Sequence, residues 1–366
     1  IGSTPREKEY PKPKESLSDA LKQVKMIGPD AKVGDQVDFS IFEPMYEREL
    51  EGMAKIEAIE QQTFEGAPTK VFRIRSTMPS LGIDSEAVVA GDGTTLEDTI
   101  GGLVKMRLEP KEVAQDVQYN NDVIVSNAAV LDKPINAART RESIDLKITG
   151  PITADHLFNN DRQQFTAVDG GYKFVGKKAS VAGLPPLKVP VQESSVAEWL
   201  KPSTFVQSDD PRLVAKAHEV AGDETDAFAI SSKLCEWVHS HVETTFSAQL
   251  TNALEVLENP RGDCTEHSIL FIGLARAAGI PAREVAGLIY VETPKPGFYF
   301  HQWATVWVGK WVDIDPTFNQ PLADATHIKL GEGDLFEQAK LVPVIGRLRI
   351  EVLEDAQAVA AEKEKP

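Results

Sequence analysis

Apolar and polar positions follow two different patterns along this chain. From residue 33 to about 190 the apolar residues come in short runs rich in Val and Ile, several of them alternating with polar ones: Val71–Arg75, Ala87–Ala90, Val123–Val125 and Ile144–Ile148. Gly66, Gly91-Asp92-Gly93, Gly101-Gly102 and Asp169-Gly170-Gly171 punctuate them, and no stretch carries a sustained 3.6-residue period. Period-two runs between glycine turns predict antiparallel strands. The expectation is a sandwich or curved sheet, in one piece or in two divided near Lys111–Asn121. A short helix is expected before it, over Ser16–Val24. Nothing in this region groups catalytic residue types, so a structural or recognition role is expected.

After Pro185-Pro186 the pattern becomes helical. Asp209 or Asp210 ahead of Pro211 starts a run with Leu213, Val214, Ala217 and Val220 on one face, a capping residue followed by proline in the first turn. A second helix is predicted over about Asp226–Val242, carrying Phe228, Ile230, Leu234, Trp237 and Val238. A third, Thr265–Ala278, is apolar nearly all round, which predicts burial, and Gly279 ends it. Strands follow at about Arg283–Val291, Gln302–Val308 and Trp311–Ile314. Helices followed by strands make an α+β domain.

Charge and cysteine content narrow the chemistry. The chain has 39 Lys+Arg against 56 Asp+Glu, a net charge of −17, and no basic cluster, which excludes a phosphate-backbone binder. No apolar run approaches the ~18–20 residues needed to cross a bilayer. Residues 1–15 are rich in Pro and charge and read as a linker, of the kind that follows a signal peptide or membrane anchor; an extracytoplasmic location is the resulting expectation. Cys235 and Cys264 make at most one bridge, so each needs its own account.

Cys235 lies inside an amphipathic helix and reads as core. Cys264 follows Gly262-Asp263 at the start of the buried helix, where unpaired N–H groups and the helix dipole favour a negative sulfur and can receive an oxyanion; a small buried apolar residue is the competing reading. His301 begins the alternating run His301-Gln302-Trp303-Ala304-Thr305-Val306-Trp307. The two-residue turn Gly309-Lys310 predicts that Trp311–Asp315 folds back antiparallel to it. Asp315 then comes near His301 without being directly opposite, and Asp313 shares its face. A carboxylate beside an imidazole beside a thiol is the arrangement of nucleophilic catalysis; the residues alone leave Asp313 and Asp315 both open. His267, one turn past Cys264, is expected to make a structural hydrogen bond. His239 and His241 read as solvated or capping residues, and His327, just past Trp311–Thr317, is a candidate to border the cleft that is not assigned to the site. Cys264 and His267, completed by His301 and Asp315, form the only candidate zinc set, and a structural zinc site needs a second such pair. No Asp-x-Asp-x-Asp-Gly loop for calcium is present.

The blocks Asn259–His267, Leu274–Arg283, His301–Trp303 and Trp311–Thr317, in that order over roughly residues 205–330, resemble the transglutaminase-like superfamily, and more narrowly its bacterial cell-envelope members. The resemblance implies a papain-like fold in which a nucleophile helix packs on an antiparallel sheet. It implies Cys264 as nucleophile, His301 as general base and Asp315 as third member, with no cofactor or metal. The expected organisation is a linker and short helix (1–32), a β-rich domain (33–190), the transglutaminase-like catalytic domain (191–350) and an acidic tail (351–366). Two departures stand out. Gln302 follows the histidine where a small residue is common, and the upstream tryptophan that supplies an oxyanion donor in animal transglutaminases has no clear counterpart. Trp237 has the right chemistry, and its helical spacing points to the core. The implied activity is acyl transfer from a protein or peptide carboxamide through a thioester, with hydrolysis expected. Gln–Lys crosslinking is one alternative, and a non-catalytic envelope scaffold is another.

Overall fold

The computed structural model describes residues 10, 12–14, 26–64, 66–115, 127–245 and 251–353. The expected helix at Ser16–Val24, the run Val123–Val125 and nearly all of the tail lie outside these residues. Two compact units emerge: residues 1–123 with 339–346, and residues 124–338 with 347–366.

In the first unit, six strands follow one another as an antiparallel meander, β1 (Gln36–Glu43), β2 (Arg48–Phe64), β3 (Ala67–Met78), β4 (Ile83–Ala90), β5 (Thr95–Ile100) and β6 (Val104–Arg107). Alternation places Phe39, Ala54, Ile56, Phe72, Ile74 and Val89 in one cluster, with Val71, Val88, Ala90 and Leu96 in another. Bulges at Ile56/Ala58 and Val88/Val89 shift the register, bending the sheet.

The second unit is α+β. Its strands begin with β7 (Ala129–Val130), β8 (Ser143–Thr149), β9 (Gln163–Val168) and β10 (Gly171–Lys177). Its helices include α1 (Pro211–Ala221), α2 (Ala227–His241), α3 (Ala253–Glu258) and α4 (Cys264–Ala277). Between and after the helices come β11 (Glu243–Thr244), β12 (Arg261–Gly262), β13 (Ala282–Val291), β14 (Gly297–Trp307), β15 (Trp311–Ile314), β16 (Ile328–Glu332) and β17 (Arg349–Val352). Asp210 caps α1 on the Arg212 N–H with Pro211 in the first turn, and Asp226 caps α2 on Ala229 N–H, so the capping signals in the sequence mark the true starts.

One antiparallel sheet runs β15-β14-β13-β16, with β7 added to β14; the other runs β17-β8-β10-β9. In β8, Ile144, Leu146 and Ile148 are essentially fully buried, as the period-two pattern predicts. Residues 124–190, expected with the N-terminal β-rich region, fall in the second unit. Local periodicity finds strands but does not say which sheet they join. Helix α4 lies at the centre of the core: Leu270, Phe271, Ile272 and Leu274 are fully buried and pack with Leu213, Ile230, Leu234, Leu254, Ala304, Val306 and Ile314.

Candidate active site

The site begins at the N-terminus of α4. Asp263 accepts from Thr265 N–H at 2.8 Å, and the buried Glu266 reaches back to Asp263 N–H at 2.8 Å, completing a capping box. Thr251 donates its hydroxyl to the other Glu266 oxygen at 2.7 Å. Burial, with Glu266 nearby, raises the Asp263 carboxyl to about 6 against the pull of Thr265 N–H. A Cβ on Gly262 would overlap the Glu266 side chain, so only glycine lets the chain enter the helix along this path. Strands β11 and β12 pair in parallel just ahead of it. The partly exposed Cys264 is therefore mounted on a fixed helix end, and it is a free thiol.

His301 lies inside β14 rather than at its start, because the strand begins four residues earlier at Gly297. Its backbone is paired with Gly287 of β13. The ring is 4% exposed. Its Nε2 meets Asp315 Oδ2 at 2.9 Å, which leaves Nδ1 as the ring nitrogen available to Cys264, a group near enough to act on the proton affinity of His301. Burial works against a charged imidazole, and the Asp315 charge and hydrogen bond together with Cys264 outweigh it, raising His301 to about 9. Phe318 lies edge-on to His301 at 5.4 Å, with the Arg139 guanidinium over the Phe318 ring at 4.6 Å.

The structure separates the two aspartates that the sequence left open. Asp313 is ion-paired with Lys329 and with Arg162, both at 2.8 Å, and faces neither Cys264 nor His301 through a hydrogen bond. Asp315 is fully buried, and its Oδ1 accepts from Thr317 and Phe318 N–H at 2.8 and 3.2 Å. Burial alone would raise its carboxyl, but the two imidazoles hold it well below the usual carboxylate range.

The second imidazole is His327, which sequence reasoning set near the cleft without assigning it to the site. Its Nε2 meets the same Asp315 Oδ2 at 2.9 Å, and its Nδ1 meets Asp324 Oδ1 at 3.2 Å. Asp324 in turn accepts from Arg139 at 2.9 Å. The available signal was weak: a histidine three residues after an aspartate, in the mixed stretch that follows the Asp-Pro-Thr block. Glycine at 287 contributes to the closeness, since a Cβ there would collide with the Ile328 carbonyl, the residue after His327.

The other candidates separate cleanly. Cys235 is buried, with Sγ 3.6 Å from the Asp315 carbonyl, and burial pushes its thiol far above the ordinary value. His267 is buried with Nδ1 2.7 Å from the Asp263 carbonyl, a structural bond within its own helix. His239 meets the Thr317 carbonyl at 3.1 Å. Trp237 stacks on His241 at 4.2 Å, under Lys216. Donor atoms of His301, Asp315 and His327 lie within 4.8 Å of one another, a closeness that the two Nε2–Oδ2 contacts of 2.9 Å account for.

A sequence model of the transglutaminase-like superfamily matches residues 214–316, a span that includes Cys264, His301 and Asp315. The segment carrying the site is transglutaminase-like. Among solved structures, "a Putative Cysteine Protease from Cytophaga hutchinsonii" is similar at 17% identity and a TM-score of 0.39, over 58% of this chain and 89% of that one. "A Putative Protease from Parabacteroides distasonis ATCC 8503" is similar at 13% and 0.25, over 82% of this chain and 61% of that one. Red sea bream transglutaminase follows at 11% and 0.23, over 82% of this chain and 51% of its own. No curated protein matches the chain. No helix among the described residues is long and apolar enough to cross a membrane.

Proposed function

We propose that the transglutaminase-like segment is a cysteine-dependent hydrolase of protein or peptide carboxamides, working through a thioester on Cys264. The observation that carries this reading is the buried 2.9 Å bond from His301 Nε2 to Asp315 Oδ2, which orients the imidazole toward the Cys264 side chain. The sulfur attacks the carbonyl carbon as thiolate, the nucleophilic form of cysteine. Asp263 takes up the Thr265, Glu266 and His267 N–H groups at the start of α4, which leaves the Cys264 N–H to suit the oxyanion that develops. With its affinity at about 9, His301 is an imidazolium at neutral pH and gives its proton to the departing nitrogen. As a neutral ring it then takes a proton from water, whose oxygen attacks the thioester carbon and releases the acid and the sulfur.

The hydrolytic outcome follows the resemblance to bacterial members of the family. The same residues serve crosslinking when a lysine amine replaces water, so the products decide. Incubating a Gln-containing peptide with and without a primary amine, and weighing the products, gives deamidation or cleavage under this reading and amine incorporation under the other. The nucleophile itself is tested with a thiol-directed electrophile at neutral pH on wild type, Cys264→Ala and Cys235→Ala. Cys264 is expected to react faster than Cys235, and equal rates reject the reading. An extracytoplasmic location, suggested by the linker-like residues 1–15, is tested by cell fractionation of the full-length protein.

A further inference from the structure

The reaction above uses only one of the two imidazoles that Asp315 holds. We infer that His327 is a positioning residue that sets the proton affinity of His301, acting as a fixed cation on the far side of the shared carboxylate. The inference rests on the proposed Cys264–His301–Asp315 site and specifies how that site is tuned.

Both ring nitrogens of the fully buried His327 face carboxylates, Asp315 Oδ2 at 2.9 Å and Asp324 Oδ1 at 3.2 Å. A neutral imidazole has one N–H and satisfies one of them; two acceptor carboxylates require two protons and therefore a cation. Asp324 is built to hold that charge. It is 1% exposed. Its Oδ2 accepts from Arg139 at 2.9 Å and Gln320 at 2.8 Å, and its Oδ1 from the Thr326 N–H at 2.8 Å and hydroxyl at 2.6 Å. Arg162 reaches the His327 carbonyl at 2.8 Å, and its charge is taken up by Asp313, which Lys329 also pairs. Trp303 closes the remaining side edge-on at 5.1 Å. Burial disfavours the charged ring, and the bonds and charges of Asp315 and Asp324 reverse this, raising His327 to about 9.

The two imidazole rings are 6.1 Å apart with one carboxylate oxygen between them. A second cation there divides the attraction of Asp315 and repels a proton on His301. Across that distance at an intermediate dielectric, the repulsion amounts to about one to two pH units. Without the second cation His301 would hold its proton about one to two pH units more tightly and be a weaker general acid. His327 brings the affinity of His301 back toward the working pH, where a general acid is most effective.

The test is the rate at which Cys264 is alkylated by iodoacetate between pH 5 and 11, with the modified site resolved by mass spectrometry. Attack by this anionic reagent is favoured by an imidazolium beside the thiolate, so the alkaline limb reports loss of the His301 proton. His327→Gln keeps an N–H for Asp315 and removes the charge. Asp324→Asn removes the carboxylate that holds the second His327 proton, and far-UV circular dichroism checks that both variants fold. The alkaline midpoint is expected to rise by about one to two pH units in His327→Gln and by less in Asp324→Asn. A slower reaction with an unmoved midpoint overturns the inference and leaves the nucleophile reading standing, since His327 would then be structural only. A downward move overturns it too. If wild-type Cys264 reacts no faster than Cys235 and shows no alkaline limb, the underlying reading fails, and the inference with it.

Discussion

Replacing Asp315 with asparagine probes the site without a substrate. The carboxylate accepts four hydrogen bonds: two imidazole N–H groups on Oδ2 and two backbone N–H groups on Oδ1. An asparagine that turns its oxygen to the backbone offers its amide N–H to the imidazoles, so donors meet donors. His301 and His327 are each raised from 6.5 to about 9. Their stabilising contribution is therefore complete below about pH 6.5 and lost as the pH rises through about 9. A rise of this size corresponds to about 3 kcal/mol for one group at about 1.4 kcal/mol per pH unit. Because the rings share one oxygen, about 3–5 kcal/mol is the expected loss for the pair rather than twice the single value. Asp315 is depressed, so its own contribution is present at neutral pH and disappears only in strong acid. All five tryptophans (199, 237, 303, 307 and 311) lie in the second unit, so their fluorescence follows that unit during urea unfolding. Between pH 6 and pH 10 the wild type should lose about 3–5 kcal/mol more than Asp315→Asn, which begins from lower stability. Glu284 titrates in the same interval in both proteins and cancels in the difference. Parallel stability profiles for the two proteins would refute the reasoning.

Three further outcomes follow from the same geometry. Gly262→Ala forces the Glu266 side chain aside and opens the capping box; a loss of about 1–2 kcal/mol and slower alkylation of Cys264 are expected, and an unchanged rate would show that the mount does not matter. Burial raises Glu284 to about 7, with the Gln338 amide bonded to it, so its contribution is complete below about pH 4.5 and lost as the pH rises through 7. Glu284→Gln stays neutral and should be about 2–3 kcal/mol more stable than wild type at pH 8.5, with little difference at pH 4.5; urea unfolding at the two values checks it. Trp237→Phe keeps the ring that stacks on His241 and removes the indole N–H. Peptide turnover within a few-fold of wild type is expected, and a loss of about 10²-fold would assign Trp237 to the oxyanion.

What could be read from the sequence depended on whether the deciding contact was local. Asp210, Asp226 and Gly279 mark helix ends through bonds made within a few residues, and the α4 start, with Cys264 on it, was legible for the same reason. The return of β15 on β14 was likewise legible from Gly309-Lys310 and brought Asp315 near His301, although the connection takes three residues, Val308-Gly309-Lys310, so that Trp307 rather than Val308 lies opposite Trp311. Choosing Asp315 over Asp313 was a different kind of problem. The two aspartates are two residues apart, Asp313 in β15 and Asp315 just past its end, and what distinguishes them arrives from elsewhere: Lys329 and Arg162 claim Asp313, and Arg162 is 151 residues away along the chain. His327 was hidden in the same way, because its value depends on Asp324, on Arg139 from the start of the second unit, and on an absent side chain at Gly287. The motif supplies the nucleophile and its base, whereas the groups that fix their protonation come from segments that carry no motif. The polar residues that set the chemistry here are thus the ones whose partners are farthest away in sequence, and a substitution at Arg139 or Asp324 should change the pH at which the site works while leaving every motif residue in place.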